Sequence, residues 1–394
     1  MKNNIAFIRK GREKSIKNHH PWIFSGAISR IEKNNDTPVV RVVDSGKNFL
    51  AWGLLSEKSS LRIRVISFEE KVIPGPDLIK GRIRRSFEWK KRFLQKVTDA
   101  FRVINSEGDF LPGLIIDYYN GYVVFQIRSA GMEYFKDEII QILKDVLNPR
   151  GILEKNDVET RKVEGLPLVK EVVYGEVPER VLIKEWEWKF YADLINGQKT
   201  GFFLDQRDNR KFLFDIAERE MKILNTFSYT GGFSIPALLR GAKVTNVEIS
   251  REALKLSMEN YKLNGFEPVL DDFIRADVFQ FLRDEFSRGK RYDVVVLDPP
   301  AFAKTLSSVK NATRGYKDIN MNAIKILKSG GLLFTFSCSN HVDATLFQKI
   351  VFSALKDTSR EGYIIKRLGQ PPDHTINLYH PEGEYLKGMV IKVF

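Results

Sequence analysis

The chain contains a single cysteine, Cys338, and only five histidines among its 394 residues. One thiol excludes an intrachain disulfide framework, and so few sulfur and imidazole ligands argue against a structural zinc site, so no metal is expected. No apolar run is long enough to span a bilayer, and no membrane partner is expected. The segment from Met1 to Lys17 is basic but lacks the apolar core of a secretory signal. Repeats and low-complexity tracts are absent, and so is the G-x-G-x-x-G pattern of a dinucleotide site. What remains is 43% hydrophobic, enough for two or three domains with real cores. A cytoplasmic location is the simplest account.

Acidic residues are scarce in one region only. Residues 1–100 hold 22 Lys and Arg against 10 Asp and Glu, which leaves 41 against 40 for the other 294 residues. The basic excess behind the net charge of +13 is therefore concentrated in the N-terminal quarter, which carries +12 of it. Such clustering suits a polyanion held through salt-sensitive phosphate contacts. A solvated basic surface kept for solubility is the alternative.

The first seventy residues read as short strands: 6–8, 39–43, 49–54 and 61–66. Arg62 and Arg64 alternate with Leu61, Ile63 and Val65, which puts the arginines on one face. RKGREKSIKNHHPWIFSGAI adds basic residues beside Trp22 and Phe24. Exposed aromatics among cations suit RNA, although Trp22 fits a core position better. After a linker at Ile73-Pro74-Gly75-Pro76, the spacing predicts an amphipathic helix. Ile79, Ile83, Phe87, Lys90 and Leu94 share one face, and Lys80, Arg84, Arg85, Lys91 and Arg92 fill much of the rest. A second α/β piece covers residues 105 to about 185. It contains a hairpin around Asn120-Gly121, a helix over 134–147 and a strand from Gly151.

From about residue 186 strands and helices alternate, as in a mostly parallel sheet. The central stretch is ILNTFSYTGGFSIPALLRGAKVTNVEIS, residues 223–250. It reads as strand, glycine turn, helix, strand and acid. Glycine lets backbone approach a ligand, and a carboxylate ending the next strand can take both ribose hydroxyls. S-adenosylmethionine has no pyrophosphate and suits this turn better than a dinucleotide does; an ordinary glycine turn is the plain alternative. Upstream, GQKTGFFLDQRDNR is a candidate lid or cofactor clamp, or a domain-connecting turn. Ser250 can cap a helix over 251–263. Asp277 ends another expected strand, 274–278, where it could meet an adenine amino group.

YDVVVL, residues 292–297, reads as a fully buried strand and runs into Asp298-Pro299-Pro300. Two prolines fix the backbone and remove two amide donors. Their carbonyls and the Asp298 carboxylate are then presented at the sheet's carboxyl edge, where a base could be gripped. After Gly330-Gly331, a buried strand over 332–336 ends in Ser337-Cys338-Ser339-Asn340-His341. A lone cysteine is most often a small core residue. Here its strand should neighbour the Asp298 strand, where a thiolate adding to C6 of a pyrimidine would make C5 nucleophilic. Asp298 could stabilise the adduct.

Taken together, the motifs resemble the RlmI-like class I methyltransferases that make 5-methylcytosine in large-subunit ribosomal RNA. KGREKSIKNHHPWIFSGAI is similar to the start of that family's RNA-binding PUA domain. GQKTGFFLDQRDNR, FSYTGGFS, DPPAFAK and FSCSNH follow its methyltransferase motifs in order. The resemblance implies an α/β chain: a PUA-like domain over 1–72, a basic helix and central α+β domain over 73–185, and a Rossmann-like methyltransferase domain over 186–394. It implies S-adenosyl-L-methionine as cofactor and ribosomal RNA as partner, and allows a homodimer. By motif, Tyr229, Thr230 and Gly231 line the cofactor loop, Glu248 holds the ribose, Asp277 meets adenine and Cys338 is the nucleophile, with Asp298 beside it. Gln206, Arg207, Phe227, Ile249, Val278 and Asp298 complete the expected cofactor set. Many cytosine-C5 RNA enzymes carry a second cysteine after the Asp-Pro motif; here Pro300 stands there. Uracil-C5 or amino-group methylation, or a non-catalytic RNA-binding assembly factor, are the other readings.

Overall fold

The structure is a computed structural model and describes residues 3–303 and 305–394. Two compact units divide the chain. The first comprises Met1–Trp186, Ala192–Leu204 and Pro372–Gly383, and the second Glu187–Tyr191, Asp205–Pro371 and Glu384–Phe394.

In the first unit a six-stranded sheet is formed by β1 (Asn4–Ile8), β2 (Trp22–Phe24), β3 (Ile28–Glu32), β4 (Val39–Val43), β5 (Phe49–Leu55) and β6 (Leu61–Ser67), in the order β2-β6-β5-β4-β1-β3. A short helix, α1 (Lys14–Lys17), lies between β1 and β2. Helix α2 (Pro76–Leu94) starts with Gly75 as cap and proline in its first turn, where the missing amide is harmless. It buries Ile79, Ile83, Phe87, Lys90 and Leu94, the face expected from spacing. Lys90 remains on that face because its ammonium donates to Asp109 (2.7 Å) and to the Val103 carbonyl (3.0 Å).

A five-stranded sheet follows: β7 (Ala100–Asn105), β8 (Leu114–Tyr119), β9 (Tyr122–Ile127), β10 (Gly151–Asn156) and β11 (Val169–Gly175). Asn120 and Gly121 join β8 to β9 with positive φ (44° and 94°), as a two-residue hairpin turn requires. A short helix not expected, α3 (Ala130–Glu133), precedes the helix expected over 134–147, which forms as α4 (Lys136–Leu147). Helix α5 (Thr160–Glu164) and strands β12 (Arg180–Glu185) and β13 (Trp188–Asp193) come next. The expected first domain is not packed separately from the second. Leu54 and Ile66 join the core of the five-stranded sheet and α2. Arg64 also forms a buried ion pair with Glu164 (2.9 Å).

The second unit is built on a seven-stranded sheet. Its elements in chain order are α6 (Arg207–Ile216), β14 (Lys222–Thr226), α7 (Ser234–Leu239), β15 (Lys243–Glu248), α8 (Arg251–Leu263), β16 (Phe273–Arg275), α9 (Val278–Ser287), β17 (Tyr292–Leu297), α10 (Val309–Ile326), β18 (Leu327–Ser337), α11 (Ala344–Asp357), β19 (Gly362–Leu368) and β20 (Lys387–Val393). The order is β16-β15-β14-β17-β18-β20-β19, parallel except for β20, which runs antiparallel to both neighbours. Both faces are buried. Leu224, Val295, Leu297 and Leu333 pack with α9, α10 and α11, while Ile223, Val294, Val296, Phe334 and Phe336 pack with α6 and α7. Alternate residues of each strand thus serve opposite cores, which explains why Val294 to Leu297 are all apolar, while Asp293 at the strand's start pairs with Lys328 (2.7 Å).

Two expectations change. Gly330-Gly331 lies inside β18 as an irregularity, with Gly331 opposite Val393 of β20. Positive φ at Gly330 (78°) bends the strand without ending it. The strand expected over 274–278 stops at Arg275, because Asp277 caps α9.

Candidate functional site

In the seven-stranded sheet the chain order reverses direction between β14 and β17. Ligands of such sheets bind outside the carboxyl ends of the strands at that crossing. The loop after β14 meets this edge in a held conformation. Phe227 and Tyr229 have φ of 52° and 46°, in the left-handed region that bulky residues rarely occupy, at about 1–3 kcal/mol each. Glu248 fixes the loop. Its carboxylate accepts from the amides of Tyr229 (3.0 Å), Ile249 (2.9 Å) and Ser250 (3.0 Å). Gly231 (φ 78°) permits helix α8 to approach, since a Cβ there would lie 2.4 Å from Ser257 Oγ.

The surroundings suit S-adenosylmethionine. The hydroxyls of Ser228 and Thr230 are buried with no hydrogen-bond partner among the described residues. Buried polar groups of this kind are commonly satisfied by a ligand or water. Beyond Glu248, which is 8% exposed, Ile249 is 64% exposed, an apolar side chain left open at a strand end. Asp277 is exposed and accepts from the Gln280 amide (3.0 Å) as cap of α9, and Val278 is that helix's buried first residue. The segment read as a clamp divides between the two units, Gly197–Leu204 in the first and Asp205 onward in the second. In the second unit Gln206 and Arg207 are buried, and Gln206 accepts from Asn209 (2.6 Å). The Arg210 side chain passes 3.5 Å from where a Cβ on Gly232 would lie.

Asp298 follows β17 and is half-buried, with Pro299 buried and Pro300 exposed. Lys304, the end of the DPPAFAK motif, lies outside the described residues. Cys338 follows β18. Strand alternation sends Ser337 and Ser339 to one face and Cys338 to the other. Ser337 donates to the Tyr316 hydroxyl (3.1 Å), and the hydroxyls of Tyr316 and Ser339 bond to each other (3.0 Å). Ser339 also accepts from the Ala303 amide (3.1 Å), which ties the Asp-Pro-Pro loop to the cysteine loop. Burial pushes the Tyr316 hydroxyl pKa up, so it remains a neutral donor and acceptor. On the opposite side, Cys338 Sγ lies 3.9 Å from the Pro299 carbonyl oxygen and is only half-buried.

Sequence reasoning missed the groups supporting this thiol. Lys387 opens β20, opposite Ser337, and is 8% exposed. Its ammonium donates to the carbonyls of Ser339 (2.8 Å) and Tyr385 (2.7 Å). Burial pushes its pKa down, while an ionised Cys338 would pull it up; the attraction is reciprocal and favours a thiolate. The only signal was a lysine leading into the apolar run KGMVIKV. The basic face read on β6 is largely engaged. Arg64 is paired with Glu164, and Arg62 bonds to the Glu57 carbonyl. Trp22 is partly buried, donating to Glu107 (2.8 Å) with His380 at its edge.

Comparison with known proteins agrees with this geometry. The model of a family of S-adenosylmethionine-dependent methyltransferases matches residues 168–378, and that of a PUA-like domain matches residues 7–68. The ribosomal RNA large subunit methyltransferase I of Aeromonas salmonicida is 43% identical over 98% of this chain and 99% of its own length. That of Pseudoalteromonas translucida is 42% identical over 99% and 100%. Among solved structures, a chain from Streptococcus mutans described as a SAM-dependent methyltransferase has a TM-score of 0.85 at 25% identity, over 98% of this chain and 99% of its own. Another, a methyltransferase complexed with SAH, has a TM-score of 0.86 at 26% identity and the same coverage. No helix among the described residues is long and apolar enough to cross a membrane, and no group of His, Cys, Asp and Glu there could hold a metal. The chain is an S-adenosylmethionine-dependent methyltransferase with a PUA-like domain, and it belongs to the family of the ribosomal RNA large subunit methyltransferase I proteins.

Proposed function

We propose that this protein methylates C5 of a cytosine in large-subunit ribosomal RNA through a covalent adduct with Cys338. The observation that carries the reading is the half-buried thiol 3.9 Å from the Pro299 carbonyl, at the Asp298-Pro299-Pro300 turn. Cys338 also packs against the core beside Phe334 and Phe336, yet it stays half-buried rather than enclosed.

Bound S-adenosylmethionine supplies an electrophilic methyl group. Glu248 would accept the ribose hydroxyls, Phe227, Tyr229, Thr230 and Gly231 would supply the cofactor turn, and Ile249, Asp277 and Val278 would hold the adenine. Gln206, the cap of α6, and Arg207, its first residue, would complete the cofactor set. The Lys387 ammonium would attract the Cys338 thiolate. The thiolate adds to C6 of the base, and the electron pair of the C5–C6 double bond makes C5 nucleophilic. Asp298 and the Pro299 carbonyl receive the polar edge of the ring. Once C5 has taken the methyl and S-adenosylhomocysteine has left, water or another base takes the C5 proton, the double bond re-forms and the thiolate is expelled.

The proposed division into residues 1–72, 73–185 and 186–394 follows the three main sheets, while by packing residues 1–186 form one unit that also takes in 192–204 and 372–383. Ribosomal RNA as substrate is supported by the names of the relatives and by the basic N-terminal quarter, and implies a cytoplasmic location. The test is incubation with methyl-labelled cofactor and unmodified large-subunit RNA, followed by digestion to nucleosides. Label in 5-methylcytidine is expected. Label in 5-methyluridine or an amino-methylated nucleoside would reject the base assignment.

A further inference from the structure

The methyltransferase reading leaves one feature of the first unit unused, the outer face of α2. Its inner face is anchored. Ser86 donates to the Val103 carbonyl (2.7 Å), beside the bonds of Lys90. The helix therefore presents its other side as a rigid ledge. Trp89 and Phe93 lie there one turn apart, stacked with ring centroids 5.7 Å apart and planes 8° from parallel. They are 39% and 57% exposed. Two large aromatics stacked on each other and left in solvent are unusual on a surface that only needs solubility.

Cations frame the pair. Arg85 is one turn before Trp89, Arg92 is beside Phe93, and Lys96 follows just past the helix; all three are exposed. None makes an ion pair or side-chain hydrogen bond with a described residue. At 1.5 Å per residue, Arg85 to Lys96 spans about 16 Å. A self-associating surface is disfavoured, because a two-fold contact would set this row of cations against itself.

We propose that the Trp89–Phe93 pair and the surrounding Arg85, Arg92 and Lys96 form a binding site for single-stranded RNA, with a splayed base continuing the aromatic stack and phosphates meeting the cations. Duplex RNA presents no free base face and would engage the cations alone. The inference rests on the reading that the substrate is RNA, and it adds a second point of attachment remote in sequence from Cys338.

The test uses the full chain and a fluorescent single-stranded RNA oligonucleotide, with a hairpin duplex of equal length as control. Trp89→Ala should weaken single-strand binding by about 5- to 100-fold and leave duplex binding nearly unchanged. Trp89→Tyr should restore most of the loss. Arg85→Gln with Arg92→Gln should flatten the slope of log affinity against log salt by about 1.4. Single-strand binding by Trp89→Ala within about twofold of the parent would overturn the site. Equal losses on single strand and duplex would overturn the stacking role. Conversion of a dimer to monomer by Trp89→Ala, with RNA binding intact, would assign the face to a second copy and also overturn it. All these substitutions are on an exposed face, so an unchanged melting temperature checks folding. If the parent methylates ribosomal RNA and Trp89→Ala binds normally, only this inference fails; if the parent neither binds nor methylates RNA, the functional reading fails with it.

Discussion

Replacing Glu248 by glutamine should separate the two tasks of that side chain. The carboxylate uses one oxygen for the amides of Ile249 and Ser250 and the other for the amide of Tyr229. A glutamine has one carbonyl oxygen and an NH2 group. The carbonyl can retain Ile249 and Ser250, but the NH2 then faces the Tyr229 amide, donor against donor. A hydrogen bond to a charged group contributes about 1.5–3 kcal/mol. The turn at Tyr229, already in the left-handed region (φ 46°), loses its anchor. On the proposed reading, the ribose hydroxyls would lose a charged acceptor as well. Cofactor affinity should therefore fall by about 10- to 150-fold. Isothermal titration with S-adenosylmethionine and with S-adenosylhomocysteine reads this directly. Both should weaken alike, because both carry the same ribose. Glu248→Asp, shorter by one methylene, should weaken binding less than Glu248→Gln if charge dominates, and more if reach to the Tyr229 amide dominates. A Glu248→Gln protein that binds both ligands within about twofold of the parent would refute the assignment of Glu248 to the cofactor.

Cys338→Ala should lower methyl transfer at least about a thousand-fold while leaving cofactor affinity intact, as the same titration and a labelled-methyl assay would show. Lys387→Met removes a cation that attracts the thiolate, so activity at neutral pH should drop and recover as pH rises; a pH–rate profile with an unmoved acid limb would remove Lys387 from the mechanism. Arg64→Met strands the buried Glu164 carboxylate and should cost about 3–5 kcal/mol in urea unfolding, with most of it restored by a second change, Glu164→Leu. His380 has its pKa pushed down by burial, against the pull of Glu107 and Glu382 and with the repulsion of His20. Its neutral form is the one the fold favours, so its contribution is present above about pH 6.5 and is lost as pH falls through the lower folded value. Melting curves between about pH 5 and 8 should show a smaller acid decline for His380→Asn than for the parent.

Much of the catalytic unit was legible because its signals are local. The run YDVVVL, the turn Thr230-Gly231-Gly232, Ser250 as a helix cap and Asn120-Gly121 as a hairpin each act within a few residues, and each formed as expected. The inward face of α2 was legible for the same reason, since helical periodicity needs no knowledge of what it packs against. The short helix α3 was not, because four residues carry too little periodicity to reveal a helix. Nor was the fate of Arg64, whose alternation in β6 was read correctly but whose partner, Glu164, lies 100 residues away.

By itself the sequence determined the alternation of strands and helices, the acids and glycines at strand ends, and the single thiol at the end of an apolar strand. Tertiary structure alone decided what surrounds that thiol. Antiparallel pairing of β20 with β18 sets Lys387 opposite Ser337 and beside Cys338, and the Ser339–Ala303 bond joins two loops 36 residues apart. Packing likewise assigned residues 372–383 to the first unit, where Asp373 accepts from the Arg102 amide (2.9 Å) across a sequence separation of 271. The physical reason is range. Propensity, capping and periodicity act over about one or two helical turns, whereas a buried hydrogen bond or charge pair depends on which distant segments the fold brings within 3 Å.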